Sequence, residues 1–104
     1  MASGILGQSA PSATTNTTVY TVPASKTATF NINIVNQATS TASVRIAISA
    51  TGTPATSEYI EYGANILPNG GVLERTGIVA NTTKNVVVYS TIAGTSVSVY
   101  GYEE

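Results

Sequence analysis

Cysteine and histidine are absent from this chain, and its five acidic side chains are all glutamates, so aspartate is absent too. Those gaps remove disulfides, thiolate metal sites, cysteine nucleophiles, serine triads, the usual zinc sites and the zinc deaminase site. No cofactor is expected. Charge is also scarce: 9% of residues carry it and the net value is -1, against roughly 25% in ordinary soluble domains. The cations are Lys26, Arg45, Arg75 and Lys84. They make no basic stripe able to hold a phosphate backbone, which argues against a nucleic-acid partner. No apolar run approaches the ~20 residues of a membrane helix, so no membrane partner is expected. The start from Met1 to Leu6 lacks the basic and apolar regions of a signal peptide, and the expectation is a protein used where it is synthesised.

With so few charges, a small isolated domain has little to keep copies apart, since net charge of about 2 to 8 and a mixed-charge surface serve that purpose. The composition therefore points to a homo-oligomer or lattice in which other subunits cover much of the surface. The alternative is that a threonine, serine and asparagine exterior hydrates well enough alone.

What is present is alternation by twos. The chain has 104 residues, 42% of them hydrophobic, enough for a single core. Threonine and valine dominate alternating segments from Thr18 onward, and helical periodicity is missing. Thr18 to Val22 reads as a strand closed by Pro23. From Lys26 to Asn36, Ala28, Phe30, Ile32 and Ile34 share one face, with Thr27, Thr29, Asn31 and Asn33 on the other. Ala42 to Ala50 places Val44, Ile46 and Ile48 inward, and Ser43, Arg45 and Ser49 outward. Ser57 to Tyr62 has no purely apolar face, which fits an edge or interface strand. Asn69 to Gly71 is a connection leading into a strand near Val72 to Thr76. The run at Val86, Val87 and Val88 implies burial on both faces or against a partner. Thr95 to Tyr102 puts Val97 and Val99 inward, with Ser96, Ser98 and Tyr100 outward. The predicted fold is an all-β, single-domain antiparallel β-sandwich of about seven to eight short strands, spanning residues 18–104, with an extended N-terminal arm over residues 1–17.

Candidate chemistry is thin. Glu58 and Glu61, three apart on a strand, would point to opposite faces and make no glycosidase pair; they read as charges that discourage edge pairing. Asn69-Gly70-Gly71 lacks the strand-to-helix context of a phosphate loop. Asn16-Thr17-Thr18 and Asn81-Thr82-Thr83 match the glycosylation triplet, as chance supplies in such a composition. Tyr59, Tyr62, Tyr100 and Tyr102 fall at exposed or rim positions. They suit subunit contact or half-buried packing, with sugar stacking as the sharper alternative.

The leader GILGQSAPSATTNTTVYTVPAS carries no charge and too much glycine, proline and threonine for a helix. It reads as a docking or exchange arm anchored by Ile5 and Leu6, with Gln8 and Pro11 as further partner contacts. The alternative is a strand packed on its own sandwich.

The leader, the segment EYGANILPNGGVLERTGIVANTTKNVVVYS and the ending SVSVYGYEE together resemble small all-β virion structural proteins of tailed bacteriophages, of the cyanophage and marine phage type. The resemblance covers nearly the whole chain and contains no catalytic signature. It implies a non-enzymatic protein of the virion, assembled in the host cytoplasm, either a capsid decoration or cement protein or a tail fibre or baseplate module. The domain reads as standing alone, without a fibre shaft or receptor-binding tip, which favours the capsid. The expected partners are then copies of itself, with threefold symmetry pointing to a trimer, and other virion proteins, the major capsid protein foremost. On the tail alternative the four tyrosines would face a host glycan.

Overall fold

The computed structural model describes residues 2–104 and consists of eight strands: β1 (Ser3–Ser9), β2 (Thr17–Thr21), β3 (Ala28–Asn36), β4 (Ala42–Ser49), β5 (Tyr59–Ile66), β6 (Gly71–Ala80), β7 (Asn85–Ser90) and β8 (Thr95–Glu103). A short 3-10 turn at Thr56–Glu58 precedes β5. The strands form two four-stranded sheets, ordered β1-β8-β3-β6 and β2-β7-β4-β5.

The first strand pairs with the eighth, the second with the seventh, the third with the sixth and the fourth with the fifth, all antiparallel. A single long hairpin rolled around a core gives this pattern. Pairings of β3 with β8 and of β4 with β7 complete each sheet. The result is an eight-strand jelly roll, a double-sheet sandwich of Greek-key connections.

Alternation explains where the core sits. Along β3, Ala28, Phe30, Ile32 and Ile34 are buried while the residues between them are half-buried. With Val97 and Val99 beside them on β8 of the same sheet, they face Val44 and Ile46 of β4 and Val86 and Val88 of β7, all essentially inaccessible. Each such side chain contributes roughly 1.5–3 kcal/mol relative to exposure. Val87, on the opposite face of the central strand β7, is also buried, so the apolar run at Val86 to Val88 does bury both faces within one chain.

Two local features depart from simple alternation. In β4 the pairing with β5 is irregular between Ile46 and Ala47. Ile48 packs against the core as expected, though half-buried, whereas Ser49, expected outward, is buried with its hydroxyl donating to Glu58 Oε1 at 2.8 Å. Glu58 itself lies in the 3-10 turn, not on a strand beside Glu61. Its carboxylate also accepts the N–H groups of Ala55 at 2.8 Å and Ala50 at 3.0 Å. It clasps the β4–β5 connection, and these backbone donors, with Ser49, hold its carboxyl below the usual range.

The larger departure concerns the leader. Residues 3–9 of the stretch expected as a docking arm lie on the protein's own sheet as β1, hydrogen-bonded to β8. Met1 falls outside the described residues, and the boundary expected after residue 17 falls inside β2. Three things seat β1. Its register shifts between Ile5 and Gly7, and Leu6 packs on the core while Ile5 stays exposed. A Cβ at Gly7 would lie 2.3 Å from the Val19 carbonyl oxygen, so the missing side chain lets β1 and β2 approach. Pro11 is buried in the connection that follows, and the Thr14 N–H donates to the Ser90 carbonyl at 2.8 Å. Half-buried Leu6 and buried Pro11 therefore pack on their own chain.

Candidate functional site

A jelly roll exposes the outer faces of its two sheets, and the four tyrosines divide between them. Tyr100 and Tyr102 alternate with inward Val97 and Val99 on β8, so they lie on the outer face of β1-β8-β3-β6. The register sets Ile5 and Asn31 on either side of Tyr100, and Ser3 and Thr29 on either side of Tyr102, with Val79 beyond Thr29. Ile5 is 58% exposed, Val79 64%, Val72 56% and Tyr102 40%. Four of the six large exposed apolar side chains thus share one face. Gln8 lies on it too, its Nε2 donating to Ser98 Oγ at 3.3 Å. The Tyr100 hydroxyl donates to Glu74 Oε2 at 2.8 Å, reaching across β3 to β6, which raises the phenol's pKa and ties down the carboxylate.

Tyr59 and Tyr62 belong to the edge strand β5 of the other sheet. Their rings meet edge to face, 5.0 Å between centroids and 84° between planes, and with Pro54 and Thr56 they line an open depression of about 490 Å³. Register places Tyr62 opposite Arg45, and Arg45 opposite Tyr89, across β5, β4 and β7. The Arg45 guanidinium carbon lies 4.4 Å from the centroid of each of the two rings. Stacking of this kind is favourable by roughly 0.5–2 kcal/mol per ring, depending on solvent access. Among the described residues the salt bridge is Arg75 to Glu61, 3.1 Å. Arg45 has no carboxylate within ion-pair distance among the described residues.

The tyrosines expected as one interface therefore make two separate sites, and the residues expected for the arm join only one of them. Ile5 and Gln8 lie with Tyr100 and Tyr102, whereas Leu6 and Pro11 turn into the protein. Arg45 and Tyr89 complete the second site. Arg45 read as outward in its strand, but no spacing in the sequence announces that residues 45, 62 and 89 lie in one row, because strand pairing brings them together.

Four of the five glutamate side chains are engaged in structure. Glu58 clasps its loop, Glu61 pairs with Arg75 across the edges of β5 and β6, Glu74 accepts from Tyr100, and buried Glu103 accepts from Tyr20. Among the described residues no three histidine, cysteine or acidic side chains gather in one place. No family model matches the chain, and neither the curated proteins nor the solved structures contain a match to it.

Proposed function

We propose that this protein is a non-enzymatic structural component of the virion of a tailed bacteriophage, a decoration or cement module that associates with copies of itself and with capsid subunits. The observation that carries the reading is the outer face of β1-β8-β3-β6, where Ile5, Val72, Val79 and Tyr102 stand exposed and Glu74, the one acid among them, is bonded to Tyr100. A face with apolar and aromatic side chains and little free charge has the composition of an interface core. A stable contact needs roughly 1,200–2,000 Å² of total buried surface, and one flat sheet face with the adjoining edge strand β1 provides a surface of the right kind. Cementing would follow: contacts bridging adjacent capsid subunits must be broken before the shell can open.

The jelly roll adds modest support, because viral capsid and lectin domains both use it, and the fold alone assigns neither role. Localisation within purified virions, by antibody labelling in electron microscopy, tests the proposal. Label spread over the head is the expected result. Label confined to the tail or baseplate would overturn the capsid reading and favour the second one, a fibre or baseplate module contacting host glycans, for which the Arg45 and Tyr62 cluster speaks. Absence from the virion would remove both.

A further inference from the structure

We infer that the depression beside Arg45 is a binding site for a carboxylate-bearing sugar, such as a hexuronate or a sialic acid. The inference deepens the glycan-contact reading and does not depend on whether the chain sits on head or tail. It rests on three side chains from three strands and on the loop that borders them.

Arg45 supplies the charge. Its guanidinium lies over Tyr62 and Tyr89, 4.4 Å from each centroid, and no carboxylate neutralises it among the described residues. The rings restrain the guanidinium, so less freedom is lost when it pairs with a carboxylate through its planar fork of donors. The structure elsewhere satisfies its other cation of this type, Arg75, with Glu61. Leaving Arg45 free while holding it in place is the arrangement an incoming anion needs.

Tyr59, Tyr62, Pro54 and Thr56 supply the rest. The volume of about 490 Å³ falls within the ~300–1,000 Å³ of small-ligand sites. A sugar ring has apolar C–H faces and polar hydroxyl edges. Tyr62, 65% exposed, and half-buried Tyr59 offer aromatic surface for the first and phenol hydroxyls for the second, while Thr56 adds a hydroxyl at the wall. A bare inorganic anion would use Arg45 and leave the aromatic wall idle. A neutral sugar would use the wall and leave Arg45 idle. A carboxylated sugar engages both, and because Tyr62 belongs to the stack and to the depression, the two subsites adjoin.

The test is a titration of the isotopically labelled full chain followed by amide chemical shifts, with glucuronate, galacturonate and N-acetylneuraminate as probes and glucose and acetate as controls. Saturable shifts at Arg45, Tyr59 and Tyr62 are expected for at least one acidic sugar at millimolar concentration, with about tenfold weaker response to both controls, a difference of ~1.4 kcal/mol. Arg45→Gln should erase the preference for the acid over glucose, and Tyr62→Ala should weaken both sugars; the dispersion of each variant's spectrum reports whether it is folded. Acetate matching the acidic sugars, or Arg45→Gln retaining the preference, would overturn the inference. Shifts clustering around Tyr100 and Tyr102 instead would overturn this site and leave the glycan reading standing. No saturable shift from any sugar would remove both.

Discussion

Burial, reinforced by the neighbouring Glu103 carboxylate, holds the Tyr20 phenol protonated well above the usual tyrosine range. The hydroxyl donates to Glu103 Oε2, and the ring meets Phe30 edge to face at 6.0 Å. This contact links β2 to β8, which lie in different sheets. Raising a tyrosine's pKa on folding means that its contribution is complete below the unfolded value of ~10 and is lost as pH climbs toward the folded one. Tyr20→Phe should therefore behave in two ways. Near neutral pH it should lower stability by roughly 1–3 kcal/mol, because the buried carboxylate loses its donor. Above pH ~10 its stability should fall less steeply than that of the native chain, so the two curves converge. Urea midpoints measured from neutral to strongly alkaline pH decide the matter, and parallel curves would show that Tyr20 retains no special hold on its proton. Nothing in the sequence announces this pair. Tyr20 and Glu103 stand at opposite ends of the chain, and only the rolled topology brings them together.

At the scale of the element, the strands that were legible are those whose alternation is uninterrupted. β3 and β8 bury every second residue without a break through their central positions, so their faces could be assigned from the residues alone. The turn at Asn69 was equally plain, and its backbone packs on the end of β3 and the β3–β4 connection: the Asn69 and Gly70 N–H groups donate to the carbonyls of Ala38 and Asn36 at 2.8 and 2.7 Å. β1 was harder for a physical reason. Its irregular register between Ile5 and Gly7 breaks the period of two, setting Ile5 opposite outward Tyr100 and Gly7 opposite inward Val99, so no alternation marked the segment as a strand on which Ile5 and Leu6 would face opposite ways. The seating of β1 depends on Gly7, where a Cβ would meet the Val19 carbonyl. Gly7→Ala should push β1 away from β2. Its amides should then exchange with solvent much faster, while β3, β4 and β7 at the sheet centres keep their protection. Unchanged protection in β1 would mean that the β2 backbone yields to the added methyl group. If β1 does loosen while the remainder stays folded, it can act as an exchangeable strand, which is the closest the structure comes to the arm expected from the leader.

For the whole molecule, the scarcity of charge acquires a geometry. All four edge strands and both outer faces of this jelly roll could have been guarded by lysines and acids, the usual defence against unwanted pairing. Here the edge pair β5 and β6 carries its opposite charges facing each other, Glu61 on Arg75, and the face bearing Ile5, Val72, Val79 and Tyr102 has its acid bonded to Tyr100. Composition leads to the expectation of a covered surface but could not point to a face, because Ile5, Tyr102 and Val79, exposed together on one sheet, come from three strands distant along the chain. An interface built this way owes little to ion pairs, so self-association should persist as salt is raised. Val79→Lys, placing a charge amid the exposed apolar side chains, should weaken association by tenfold or more, about 1.4 kcal/mol, with the fold retained because residue 79 is exposed. Arg45→Gln, on the opposite sheet, should leave association unchanged. Sedimentation velocity across a concentration series, at low and high salt, reads all three effects. A chain monomeric under every condition would remove self-association from the proposed role, and equal sensitivity to both substitutions would move the contact off this face. Loss confined to Val79→Lys would assign association to β1-β8-β3-β6 and leave the Arg45 face open to solvent, where a ligand can reach it.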